Sequence, residues 1–463
     1  MAAYNHREGG ARRSPLFLVL IFLFVIILVG WKAFSREAPT IQLRQNLRGI
    51  GQSTPVDFEV TDPHHQINSI KVELVQNGRS FTVSETKIIR TSHRWWKLWV
   101  RMPESRQNVS VQVGRRQIPE LQDGRATLLI TAKNDSWGRF FRGGQRELRM
   151  DLPVRLAPPQ VDVLSPMHYI NQGGSEAVVF KVSPGTAESG VRVGNYFFRS
   201  FPLADSAPDT RLCLFAYPYD LPMNTPIEIV ARDDAGNETV SNFNYRVFPK
   251  QFRASTINIT DDFLARVVPP IISQSPEVKD QGNPLQNFLE ANGPLRRIGQ
   301  EKLIQFSYQT SPHLLWKEPF IQLGNSKVEA GFADRRTYEY NGQKIDQQTH
   351  LGYDLAVTAH TPVVAANDGV VIYAAYFNIY GNAVIIDHGC GLQTLYGHLS
   401  SIQVKPGESV QRGQVIGLSG QTGMAGGDHL HFSVLLDGVF VNPVEWWDPH
   451  WIHDRVEAKL ALR

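Results

Sequence analysis

His429-Leu430-His431-Phe432 alternates imidazoles with apolar side chains. That is the period of a β-strand, so both imidazoles leave one face of it. His350-Leu351-Gly352-Tyr353-Asp354 sets an imidazole and a carboxylate four residues apart, on one face of a strand as well as of a helix. Gly352 and Tyr353 are poor helix residues and favour the extended form. His398, preceded by Tyr396-Gly397, completes a set of five. Two imidazoles and a carboxylate, with a fourth position left to water, make the ligand set of a catalytic rather than a structural zinc site. With 14 His in the chain, one alone means little: His313, His360, His388, His450 and His453 read as surface or hydrogen-bonded core residues. The spaced combination carries the weight.

The rest of the chain bounds what such a site can belong to. Its 463 residues predict about three folded units. With 42% hydrophobic and 20% charged residues, the chain is not mainly disordered, a coiled coil or a collagen. A net charge of +3 gives no warrant for a nucleic-acid partner. Two cysteines, Cys213 and Cys390, cannot build a disulfide framework or a Cys-rich zinc module, so a metal here falls to His and carboxylates.

Ser14 to Trp31 runs 18 residues without a charge, mostly Leu, Ile, Val and Phe. That length reaches a membrane span, and the run is apolar on every face, unlike a core helix. Arg12-Arg13 before it would suit a cleaved signal as well, but the run exceeds a usual signal core. We therefore expect a tail over residues 1–14 and an uncleaved transmembrane anchor over 15–34.

Residues 38–157 and 158–250 both show period-2 strand patterns, as in Val56-Asp57-Phe58-Glu59-Val60, broken by turns such as Asn77-Gly78 and divided by Pro158-Pro159. They read as weak repeats: Phe58-Glu59-Val60-Thr61 matches Phe180-Lys181-Val182-Ser183. Both resemble immunoglobulin-like β-sandwiches. His93-Arg94-Trp95-Trp96-Lys97-Leu98-Trp99 in the first could stack on sugars or sit at a membrane surface, but packing inside the sandwich is the favoured reading. A helical connector over 251–319 opens at Thr260-Asp261-Asp262, and its Gly293 and Pro294 breaks permit domain motion. The metal-type domain takes 320–450, and 451–463 is a C-terminal tail.

His350-x-Gly352-x-Asp354, Tyr396-Gly397-His398-Leu399-Ser400, Gly420-Gln421-Thr422-Gly423 and His429-x-His431-Phe432 together resemble the motif series of the LytM/lysostaphin-type zinc metallopeptidases, which cut peptide bonds in peptidoglycan. Gly331-Phe332-Ala333-Asp334-Arg335-Arg336 and Asp387-His388-Gly389 resemble family segments as well, so the likeness runs from about Gly331 to Trp447. It implies an all-β peptidase domain in a mainly β chain and one Zn2+ held by His350, Asp354 and His431. His398 and His429 would act on the water and the developing oxyanion, with the general base open between them. One departure is His360-Thr361-Pro362-Val363, where the family commonly has Gly before Thr-Pro-Val. Tyr338-Glu339-Tyr340 and Asp346 are close enough to the site to line its cleft or block it.

The resemblance further implies peptidoglycan as substrate, an inner-membrane, periplasmic location with the membrane contacted through the N-terminal helix, and cell-wall synthesis or division proteins as partners. A non-catalytic scaffold that activates another cell-wall hydrolase is the alternative. It is disfavoured because all five positions are filled. Val404 to Gly417 also resembles half of a biotinyl/lipoyl carrier domain, but no modifiable Lys follows in a hairpin turn, and the shared pattern means a β-sheet core.

Overall fold

Along Thr54–Asp62, Val56, Phe58 and Val60 are buried while the residues between them are more open, so the strand offers one apolar face for burial. A computed structural model describes residues 15–34, 38–88, 104–136 and 143–462, and the chain is mainly β. It divides into two compact units: one runs to Pro158 and includes Asp233–Asn237, the other holds Pro159–Arg232 and Glu238–Arg463.

In the first unit Thr54–Asp62 pairs antiparallel with Thr40–Leu43 and Ser105–Val113. A second sheet runs Arg79–Lys87, Ile67–Gln76, Gly124–Asn134, Gln145–Val154. Phe58 and Val60 of one sheet share a core with Val72, Leu74 and Ile130 of the other. Asn77 and Gly78 both take positive φ, 52° and 76°, which the two-residue hairpin between Ile67–Gln76 and Arg79–Lys87 requires. The Trp95-Trp96 cluster lies outside the described residues. Pro15–Phe34 forms a helix of 20 residues. Among the described residues no helix is long and apolar enough to cross a membrane, and side chains in part of Pro15–Phe34 fall outside that set.

The second unit joins stretches that the sequence reading kept apart. One core contains Phe180, Phe198 and Phe215 from the second β stretch and Trp316, Phe320, Phe432 and Trp446 from the metal-type stretch. Polar ties reinforce it: the buried Glu445 carboxylate accepts from Ser175 N at 2.7 Å and Asn171 Nδ2 at 2.8 Å, and Arg199 Nε donates to Asp437 at 3.0 Å. Residues 451–463, expected as a tail, carry helical turns whose Ile452 and Val456 are buried in that core. Lys459 Nζ reaches the buried Glu176 at 2.6 Å.

The stretch 251–319 begins with a strand, Ala254–Ile259, that pairs in parallel with Asp334–Tyr340. Thr260 then caps the helix Asp261–Gln274 by accepting from Phe263 N. Pro284–Glu290 runs through a π-helical turn, Ala291–Leu295, directly into Arg296–Ser307. Gly293 and Pro294, read from sequence as breaks, sit in that turn, whose Ala291, Asn292 and Leu295 are buried.

The last sheet carries the chemistry. Its antiparallel order is Lys327–Ala330, Tyr353–Ala356, His429–Leu436, Leu392–Leu399, Asn382–Asp387, Gly369–Tyr376, Ser409–Val410. Val404, Val410 and Ile416, from the carrier-like stretch, are core residues here.

Candidate metal centre

Asp354 stands directly opposite His431 across the antiparallel pair Tyr353–Ala356 and His429–Leu436. Opposed residues share a face, so the register alone brings the carboxylate and the imidazole together. Gly397 is the partner of His431 on the other side, and its missing side chain leaves the space beside His431 Cβ. His350 ends the strand Gln343–His350, paired with Asp334.

His350 Nε2, Asp354 Oδ1 and His431 Nδ1 lie 2.9, 3.0 and 3.1 Å from one another. Ligands at ~2.0–2.1 Å around a tetrahedral zinc would be ~3.3 Å apart, so a slight expansion admits the ion. The outer partners fix which nitrogens carry protons. His350 Nδ1 is 2.9 Å from Gly331 O, a carbonyl that can only accept, so Nε2 is left with its lone pair. Ser433 Oγ gives its one proton to Leu351 O at 2.8 Å and so accepts from His431 Nε2 at 2.9 Å, leaving Nδ1 bare. Two lone pairs and a carboxylate oxygen thus converge with no proton between them. Such a set repels itself unless a cation sits at its centre, and the residues fit zinc. Asp354 Oδ2 is held separately by Arg336 Nη2 at 2.8 Å.

His398 and His429 flank the triad. His398 Nδ1 donates to Thr422 O at 2.7 Å and His429 Nδ1 to Gly427 O at 2.9 Å, so in both neutral rings Nε2 is free to accept. The rings are 4.7 Å apart, and His429 Nε2 is 3.5 Å from Asp354. His398 takes φ 63° beside an irregularity in the pairing of Leu392–Leu399 with Asn382–Asp387. A bulge of this kind re-aims a side chain.

Without an ion among the three ligands, a proton on a facing ring takes over that balancing: burial disfavours charge on Asp354, yet a charged His350 and hydrogen bonds from His350, His429 and His431 outweigh it and hold its pKa well below the usual carboxylate range. Burial pushes His431 down to about 4. Burial, then the neighbouring His429 and His431, also holds His398 well below the ordinary imidazole range. His429 moves the other way: burial works against its charge, but Asp354 wins and raises it.

All five residues singled out by spacing line one cleft of about 690 Å3. Tyr338 lines it too, whereas Tyr340 turns to Asp261 and Asp346 accepts from Asn292. His388 is a buried hydrogen-bonded residue, and His360 takes φ 61°, a backbone form that glycine adopts at no cost. Sequence reasoning missed Ser433, Arg336 as a partner of Asp354, and Tyr380, whose ring is 5.2 Å from His431. Ser433 was within reach, because it continues the strand parity of His429 and His431.

Residues 348–443 match Peptidase family M23. Over 119 residues the chain is 46% identical to peptidoglycan DD-endopeptidase ShyA of Vibrio cholerae, covering 26% of this chain and 27% of that protein. Over 95 residues it is 45% identical to DD-carboxypeptidase/endopeptidase Mpg of Neisseria gonorrhoeae, covering 20% of this chain and 22% of that one. The solved catalytic domain of the antimicrobial peptidase lysostaphin from Staphylococcus simulans is 29% identical over 27% of this chain and 92% of that chain, with a TM-score of 0.24. The match thus spans about a quarter of the length of these curated relatives. The cluster of His350, Asp354 and His431 belongs to a C-terminal domain of Peptidase family M23.

Proposed function

We propose that the chain is a membrane-anchored zinc metalloendopeptidase that hydrolyses peptide bonds in peptidoglycan, with its bulk on the periplasmic side of the inner membrane. The observation that carries this reading is the convergence of His350 Nε2, Asp354 Oδ1 and His431 Nδ1 within 3.1 Å of one another, with outer partners that leave both facing nitrogens bare when the rings are neutral. Relatives named DD-endopeptidases favour the bond between D-residues of a cross-link over a glycine bridge.

Zinc, when bound, supplies the Lewis acid that acidifies water and polarises the scissile carbonyl. His350, Asp354 and His431 would hold it, with Arg336 fixing the Asp354 carboxylate. In their neutral forms His398 and His429 both present a bare Nε2 to the cleft, so either can take the proton of the attacking water. The other, once protonated, donates to the tetrahedral oxyanion or the leaving amine. The carbonyls of Thr422 and Gly427 keep both rings in the tautomer this work needs. The helix Pro15–Phe34 would anchor the chain, and the β modules would carry the peptidase toward the wall and toward cell-wall synthesis or division proteins.

The test is mass analysis of fragments released from purified peptidoglycan by the full chain, with and without a chelator. We expect about one zinc per chain, cleavage that a chelator stops, loss of zinc in His431→Ala, and retained zinc with lost cleavage in His398→Ala. A wild-type chain that binds zinc and releases nothing would point instead to a scaffold that activates another hydrolase.

A further inference from the structure

One wall of the cleft comes from outside the residues that match the family. Leu295, Arg296 and Leu303, from the turn Ala291–Leu295 and the helix after it, line the same cavity as His350, Asp354 and His431. Arg296 is oriented there. Its Nε donates to Asn292 Oδ1 at 2.9 Å, and the buried Asn292 is itself fixed by donating Nδ2 to Asp346 at 2.7 Å. Its Nη2 rests 3.7 Å from Met424 Sδ, a weak acceptor. Among the described residues no carboxylate forms an ion pair with Arg296, while Arg336 in the same cleft is paired with Asp354. Tyr380 lines this cleft as well, and its ring is 5.2 Å from His431.

A partly buried guanidinium held in place without a counter-ion is a preorganised anion site. Its free N–H donors form the fork that suits a carboxylate, and the side-chain entropy of ordering it has already been spent. Met424 beside it, and Leu295 and Leu303 in the lining of the same cleft, lower the polarity and strengthen such a pair.

We propose that Arg296, oriented by Asn292, binds a free carboxylate of the peptide substrate beside the metal centre and thereby makes acidic peptides the preferred substrates. This rests on the peptidase reading above. It assigns specificity to the segment before the M23 domain rather than to the domain itself.

The test uses the zinc-loaded full chain and two matched cross-linked peptides, one with a free carboxylate near the scissile bond and one with that group amidated. The wild type should favour the free acid by about 10–100-fold in kcat/KM, the range for a charge-assisted hydrogen bond. In Arg296→Gln the ratio should fall to about one, mainly through KM, and Arg296→Lys should restore part of it. The zinc-free chain provides a second readout: its calorimetric affinity for a non-cleavable acid peptide should drop by the same factor in Arg296→Gln. A preference that survives Arg296→Gln, or an equal loss on both peptides, would overturn the proposal. Arg296-dependent binding by a chain that cleaves neither peptide would keep the carboxylate site and sink the peptidase.

Discussion

At the scale of single residues, the metal centre depends on atoms that are absent as much as on those present. A Cβ on Gly352 would lie 2.6 Å from both His431 Nε2 and Ser433 Oγ. That hydrogen bond sets the His431 tautomer, so a methyl group there would displace the ring whose Nδ1 faces the triad. Gly352→Ala should weaken zinc binding by about 10–100-fold, the usual effect of disturbing a ligand's outer partner. Competition against a chromophoric chelator measures it, and unchanged affinity would show that the ring can shift without loss. The glycine was visible in the sequence as a gap between His350 and Asp354, and so were the five polar residues, because strand parity and spacing are local. Gly331 O and Thr422 O were not legible. Each enters through its backbone carbonyl, which any residue type could have provided.

At the scale of elements, alternation located strands and Thr260-Asp261-Asp262 located a helix start, since both signals lie within one element. Pairing partners such as Ala254–Ile259 with Asp334–Tyr340 left no such trace, because parallel register is set by contacts distant in sequence. The C-terminal helical turns are another case: nothing in Ala458-Lys459-Leu460 announces that its lysine is buried. Lys459 Nζ donates to Glu176 Oε1 at 2.6 Å and to Ala177 O at 2.8 Å, while Arg455 stands off at 4.0 Å. Lys459→Ala would leave the Glu176 carboxylate buried without its close cation, at a cost of about 3 kcal/mol. Urea unfolding should show this loss, and Glu176→Gln with Lys459→Met should recover most of it. A double variant as unstable as the single one would mean that packing of the helix, not the charge pair, holds the segment down.

For the whole molecule, length suggested about three folded units and the structure has two, because Phe215 and Trp446 belong to one core that no period in the sequence reveals. That core also governs how stability varies with pH. Burial pushes His168 and His388 down to about 4 and Glu445 up to about 7, and all three lie in the second unit. As pH falls below 6.5 the unfolded chain protonates its histidines first, so the stability these two contribute above 6.5 is lost progressively toward 4. Glu445 has the opposite sign: its contribution is full below its ordinary 4.5 and is lost as pH rises through 7. Each complete shift is worth roughly 3 kcal/mol, so of these three groups the two histidines outweigh the carboxyl between pH 6.5 and 4.5. His398 and His431 add to the histidine trend, whereas the raised Glu176, Asp387, Asp437 and His429 oppose it, which makes differences between variants the clean measurement. In the zinc-free chain, His388→Gln should flatten the fall in the urea midpoint between pH 7 and 4.5, and Glu445→Gln should steepen it. Parallel curves for the wild type and both variants would show that neither buried group controls the acid response.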